Sequence, residues 1–380
     1  MSLREFLSTK ELYYKDIDYE FFPKVWEKLS YNFSIPKVIH IIGTNGKGST
    51  GRFLAYYLFK EGFKVGHYSS PHILKFNERI WVNGSDVDDA TLEKAHKNLM
   101  LKIPKDIVEK LSYFEYTTLL AIEIFQNFDY IVLEAGLGGE FDATNVFEKL
   151  FTLVTPIGVD HESFLGNSLE EIARTKLNSV STFAIMAKQD EIVYKVADML
   201  NISYHDSKEF FSKDELKRVG EFIRKNCFAS YLKENLTLAL SAVKKLNLNY
   251  NLSKMDGVVL KGRFQKIDKN ITIDVGHNQK AALAIKKELK DKRITLIYNT
   301  YKDKDFKTIL SILKPNIKKV LIIGVDGERV VDKELLKTTL KELDISCEEF
   351  SVKKLKRGED YLVFGSFVVV EEFLKLYQDL

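Results

Sequence analysis

The stretch that most restricts this chain is Lys37–Ile42, KVIHII, followed at once by Gly43-Thr44-Asn45-Gly46-Lys47-Gly48-Ser49-Thr50 and a helical pattern over 50–61. An apolar run without alternation is a strand buried on both faces, which calls for a parallel sheet covered by helices. The glycines that follow let the backbone turn back and bring N–H groups close to an anion. The helix start adds unsatisfied N–H groups and partial positive charge. Lys47 would neutralise phosphate oxygens, and Ser49 or Thr50 would donate to phosphate or ligate Mg2+. The spacing departs from G-x-x-x-x-G-K-[ST], because Gly48 stands between Lys47 and the first hydroxyl. The segment predicts binding of a nucleoside triphosphate and leaves the reaction open.

The same rhythm of apolar run, turn and helical pattern recurs along the chain. Strands are expected over 64–68, 130–134 and 151–156, and helices over 113–125, 168–176 and 227–246. Further on, strands are expected over 271–275, 293–298, 320–323 and 361–364, and helices over 278–289 and 366–376. The expected fold is α/β: an N-terminal P-loop ATPase-like domain with a mostly parallel sheet, over 1–252, and a smaller Rossmann-like domain over 253–380. A length of 380 residues suits two cores. A hinge is expected near residue 250.

Composition removes several classes of function. Lys and Arg number 57 against 54 Asp and Glu, interleaved, so nothing calls for nucleic acid or a membrane surface. No run approaches a membrane span, and residues 1–10 carry charge rather than a leader's apolar core. Two cysteines, Cys227 and Cys347, stand far apart without metal-like spacing, which fits a reducing cytoplasm.

The string GTNGKGS resembles the folylpolyglutamate synthase/dihydrofolate synthase family, which groups with the Mur ligases. Further motifs follow in family order: Tyr68-Ser69-Ser70-Pro71-His72 with Asn77-Glu78-Arg79-Ile80, then Leu133-Glu134-Ala135-Gly136-Leu137-Gly138-Gly139 with Asp142-Ala143-Thr144-Asn145. Asp160-His161, Leu165-Gly166 and Lys176 come next, then Gly262-Arg263-Phe264, Asp274-Val275-Gly276-His277-Asn278 and Gly365-Ser366-Phe367. The chain departs from the pattern at Glu140, where many relatives carry Arg, and at Leu177-Asn178-Ser179, where Lys is usually followed by Ala-Gly.

The resemblance implies an ATP-dependent ligase joining L-glutamate to a folate or to dihydropteroate through an acyl-phosphate. It implies ATP contacts from residues 43–50 and from Asn235, Arg263, Asp274 and His277. Two divalent ions, Mg2+ or Mn2+, would lie beside the γ-phosphate, the first held by Ser70 and Glu134 and the second by His161 with Glu134. Lys47, His161 and Lys176 would serve catalysis, with Lys176 carbamylated by CO2 to support a metal. Asp142 and Asn145 would shape the pteridine pocket. The family is commonly monomeric. Two other readings stay in play on the motifs alone: a Mur-type UDP-muramoyl ligase, and a P-loop nucleotide switch without ligase activity. The switch would leave Glu134, His161 and the later motifs unused.

Overall fold

The computed structural model describes residues 1–11, 18–160, 162–327 and 329–378. His161, assigned to metal binding and catalysis by resemblance, lies outside the described residues. The chain forms two compact units, one of residues 1–219 and 232–258, the other of residues 220–231 and 259–380. The helix Lys213–Lys225 passes from one to the other.

Eight strands of the first unit form one sheet among the described residues. They are β1 (Lys37–Ile42), β2 (Val65–Tyr68), β3 (Ile80–Val82), β4 (Ser85–Asp86), β5 (Tyr130–Glu134), β6 (Phe151–Val154), β7 (Ala184–Met186) and β8 (Tyr204–Asp206). Their order is β4-β3-β2-β5-β1-β6-β7-β8. From β2 to β8 every pairing is parallel, and β3 and β4 close one edge antiparallel. Chain order reverses around β1, since the crossover to β2 goes one way and that from β5 to β6 goes the other. In open α/β sheets the crevice beyond such a point receives ligands.

Both faces of this sheet are covered, as the unbroken apolar runs require. One core gathers Phe22, Leu99, Tyr116, Leu120 and Phe125 against β5. The other gathers Ile172, Leu177, Val193 and Val196 against Ile42, Val154 and Met186. Local signals fix several helix starts. Ser112 and Glu115 close a capping box before Tyr113–Phe125, and Ser168 and Glu171 do so before Leu169–Leu177.

The second unit holds β9 (Gln265–Asp268), β10 (Ile271–Ile273), β11 (Ile294–Tyr298), β12 (Ile317–Ile322), β13 (Cys347–Glu349) and β14 (Tyr361–Phe364). Their order is β13-β12-β11-β14-β10-β9, parallel except for the β9 edge. Its core centres on Leu296, Tyr298, Leu310, Val320 and Phe364.

Two helix boundaries differ from expectation. The helix after the glycine loop starts at Lys47, three residues early, because Gly46 takes the N-cap with φ +91°. The helix expected over 227–246 spans Leu232–Lys245, since Cys227 adopts φ +55° and breaks the regular path.

Gly66 in β2 tests how tightly the first sheet is packed. A Cβ there would meet the Phe125 ring, which is wholly buried. Gly66→Ala should lower stability by about 1–3 kcal/mol. The reading is a reduced urea midpoint at unchanged m-value. An unmoved midpoint would mean that Phe125 steps aside freely.

Candidate active site at the glycine loop

Residues 43–46 leave the carboxyl end of β1 and lead into the helix Lys47–Lys60. Their path is held from several neighbouring elements of the first unit. The Thr44 and Asn45 N–H groups donate to the Pro156 carbonyl at 3.2 and 3.4 Å. Thr44 Oγ1 donates to the Gly158 carbonyl at 2.9 Å and accepts from Gly158 N at 3.0 Å. Asn235, from the helix Leu232–Lys245, donates to the Gly46 carbonyl at 3.2 Å. A side chain at Gly46 would come within 2.6 Å of that amide, and one at Gly43 would strike Thr155. Both positions also hold positive φ, so glycine is required twice over. Asn235, expected at the nucleotide, therefore touches the loop that would carry the nucleotide.

Two lysines converge on one oxygen of this loop. Lys47 Nζ donates to the Gly43 carbonyl at 3.3 Å and to that of Thr44 at 3.4 Å. Lys176 Nζ donates to the same Gly43 carbonyl at 3.1 Å. Lys176 is only 4% exposed. Burial first, and then the neighbouring Lys47 charge, pull its amine down to about 7, against the opposing pull of Asp160 and Asp142.

Glu134 ends β5, next to Ile41 of β1, and is 5% exposed. Its Oε1 lies 3.9 Å from Lys47 Nζ, and its Oε2 accepts from Ser70 N at 3.3 Å. The Glu134 carboxylate, the Ser70 backbone and the glycine loop thus meet at the carboxyl ends of β5, β2 and β1. The donor set is of the hard oxygen kind that suits Mg2+ or Mn2+. Among the described residues no three His, Cys, Asp or Glu side chains gather into a metal cage. The residues therefore fit an ion that brings water and ligand oxygens with it.

The segment after Ser70 is shaped by two charges. The Glu78 carboxylate accepts from Ile73 N, Leu74 N and Lys75 N at 2.8, 3.3 and 3.4 Å. Arg79 Nε donates to His72 Nδ1 at 2.8 Å. Burial, then the Arg79 charge, bring His72 down to about 4.

Residues 136–145 form a loop whose polar side chains serve the loop itself. Asp142 accepts from Leu137 N at 3.0 Å, and from Thr144 N and Thr144 Oγ1 at 2.9 and 2.6 Å. Asn145 Nδ2 donates to the Glu140 carbonyl at 2.7 Å, and Asn145 Oδ1 accepts from Lys149 Nζ at 2.7 Å. The two departures from the family pattern meet here, since Asn178 donates to the Glu140 carboxylate at 2.8 Å. Thr144, Lys149 and His40 were not anticipated from sequence. The apolar run around His40 hid it, although a histidine inside a fully buried strand is itself a signal.

In the second unit Asp274 follows β10. Its carboxylate accepts from Tyr231 Oη, Phe264 N and Gly276 N, each at 2.8 Å. Burial raises its pKa, against the pull of Arg263. The Arg263 guanidinium lies 5.4 Å from the Phe367 ring centre. His277 Nδ1 donates to the Val275 carbonyl at 3.1 Å.

Comparison with known proteins gives these sites a context. No family model matches the chain. A dihydrofolate synthase/folylpolyglutamate synthase from Haemophilus influenzae is 30% identical over 98% of this chain and 96% of its own. The crystal structure of Helicobacter pylori folylpolyglutamate synthetase is 40% identical, with a TM-score of 0.80 over 100% of this chain and 98% of that one. The bifunctional folylpolyglutamate synthase/dihydrofolate synthase from Yersinia pestis, complexed with AMPPNP and Mn ion, is 23% identical with a TM-score of 0.81 over 100% and 98%. That last likeness is one of fold. Matched along nearly its whole length, the chain belongs to the dihydrofolate synthase/folylpolyglutamate synthase family.

Proposed function

We propose that this protein is an ATP-dependent ligase that adds L-glutamate both to dihydropteroate and to reduced folates. The observation that carries the reading is the meeting of Lys47, Lys176 and Glu134 at the glycine loop, with Lys47 Nζ 3.9 Å from Glu134. A nucleotide-binding loop alone would not need a buried acid and a second buried lysine beside it. Family membership supplies the substrates.

The chemistry runs in two steps. A carboxylate oxygen of the acid substrate attacks the γ-phosphorus of ATP, and ADP leaves. The α-amine of glutamate then attacks the acyl carbon. A C–N bond forms, the C–O bond to phosphate breaks, and inorganic phosphate departs with the amine's surplus proton released. Lys47 and the N–H groups of residues 43–50 spread the charge that develops on the transferring phosphoryl group. Two divalent cations, the first held by Glu134 and Ser70 and the second by Glu134 with His161, would supply further neutralising charge there. Asn235, Arg263, Asp274 and His277 serve the nucleotide, Asn235 by holding Gly46. Asp142 and Asn145 act on the pteridine side by fixing the loop that faces it. We place the functional division near residue 252 and the enzyme, as a monomer, in the cytoplasm. No helix among the described residues is long and apolar enough to cross a membrane.

Lys176 carries the finer proposal. A neutral amine attacks CO2, one proton leaves, and a carbamate results. With its pKa near 7, Lys176 offers that neutral amine under ordinary conditions. The Lys47 charge that repels an ammonium would attract a carbamate. If this holds, activity falls in CO2-stripped buffer and returns with bicarbonate; indifference to both removes the carbamate.

The titration has a separate signature. Between about pH 7 and 10.5 the unfolded chain holds a proton on Lys176 that the folded chain lacks. Stability due to this group therefore rises with pH across that window. Relative to Lys176→Met, wild-type stability should climb from pH 7 to pH 9, by at most about 1.4 kcal/mol per unit. Parallel urea midpoints for the two proteins would contradict the lowered value.

The ligase reading is tested by phosphate release. It should appear when ATP, L-glutamate and either dihydropteroate or tetrahydrofolate are all present. Lys47→Ala should lower kcat/KM by about 10^2–10^3. ATP hydrolysis that ignores both glutamate and the pterin substrate would leave only a nucleotide switch.

A further inference from the structure

We infer that His40 is a positioning residue for the ligase reaction, setting the loop of residues 136–145 against the glycine loop by way of Thr144. The inference rests on the proposed role of that loop on the pteridine side.

His40 lies in the middle of β1, wholly buried, three residues before Gly43. Its Nε2 is 2.7 Å from Thr144 Oγ1, and Thr144 Oγ1 is 2.6 Å from Asp142 Oδ1. The direction of this chain follows from counting protons. An ionised Asp142 only accepts, so the single hydroxyl proton of Thr144 goes to it. Thr144 Oγ1 must then accept from His40, which fixes the tautomer with hydrogen on Nε2. The bare Nδ1 is buried without a partner among the described residues. Burial, with the Lys149 charge nearby, disfavours a second proton there.

The result is a relay that ends on Asp142: His40 Nε2–H donates to Thr144, Thr144 O–H donates to Asp142, and Asp142 also accepts from the N–H groups of Leu137 and Thr144. A second tie runs from Lys149 through Asn145 to the Glu140 carbonyl. The relay gives a reason for a polar residue in a strand that is otherwise apolar. β1 therefore registers two loops at once. Its carboxyl end delivers the phosphate-binding backbone, and its third-last position anchors the loop that would present the acid substrate. A displacement of tenths of an ångström between the two would show in binding of the acid while leaving the nucleotide alone.

Steady-state phosphate release with separate titrations of ATP and dihydropteroate tests this. His40→Phe keeps a flat ring and removes the donor. KM for dihydropteroate should rise about tenfold, with KM for ATP within about twofold of wild type. Thr144→Val should reproduce that split, and the double variant should be no worse than either single one, because both break one chain. His40→Gln, which restores an N–H donor, should recover most of the loss. Equal changes in both KM values, or additive effects in the double variant, would overturn the inference and leave His40 a packing residue. Single variants that match wild type in every constant would overturn it too. A wild-type protein that binds ATP yet releases no phosphate with dihydropteroate and L-glutamate would instead overturn the ligase reading itself.

Discussion

The carbonyl oxygen of Gly43 is where the architecture of this site is decided. It accepts from Lys47 and from Lys176 at 3.3 and 3.1 Å. Two ammonium groups on one partial negative charge, one of them fully enclosed, repel strongly at low effective dielectric. The conflict is relieved by a proton. Burial first, and then the Lys47 charge, bring Lys176, the more buried of the two, down to about 7. The site therefore keeps a cation on the helix side, where phosphate would arrive, and behind it an amine that titrates near neutrality. Lys47 holds only carbonyls and a carboxylate 3.9 Å away. Phosphate oxygens are stronger partners for an ammonium than carbonyls, so binding would draw Lys47 off the loop rather than against it.

That arrangement demands a rigid loop. A free loop would relax by moving the Gly43 carbonyl outward and letting both lysines hydrate. The Pro156 and Gly158 carbonyls, the Asn235 amide and the absence of side chains at Gly43 and Gly46 prevent it. The rigidity also keeps the start of the helix Lys47–Lys60, with its unsatisfied first-turn N–H groups, in place before any ligand arrives, which is how preorganised donors act on developing charge.

Much of this was legible in the sequence, and what was not has a common cause. β1, β5, β14 and the helix Tyr113–Phe125 could be read to the residue because apolar periodicity and the Ser112 capping box are local. Glu134, Ser70 and Lys176 could be singled out because each sits in a recognisable string at the end of a strand or on a helix. The partners of those residues could not. Asn235 and Gly46 are 189 residues apart, and Lys176 and Gly43 are 133 apart. No window on the chain contains both members. The start of the helix Leu232–Lys245 was misjudged for another reason. A positive φ at a non-glycine residue, as at Cys227, leaves no mark in hydropathy.

Asp142 in the first unit and Asp274 in the second are held in the same way. Asp142 and Asp274 each accept three short hydrogen bonds from their own surroundings, between 2.6 and 3.0 Å. Four of these six donors are backbone N–H groups. Such a carboxylate builds a turn, and its negative charge is answered before a ligand comes near. Removing it would leave buried N–H groups without acceptors and let the loop rearrange, a larger loss than one ligand contact. Asp142 and its loop are thus one unit, with backbone held in place from beneath. His40 and Lys149 complete that support from the strand and from the loop's far end. With this loop on the pteridine side, as proposed, selectivity for the acid substrate would depend on residues that need never touch it, and a histidine buried among the apolar residues of β1 would have a function to serve.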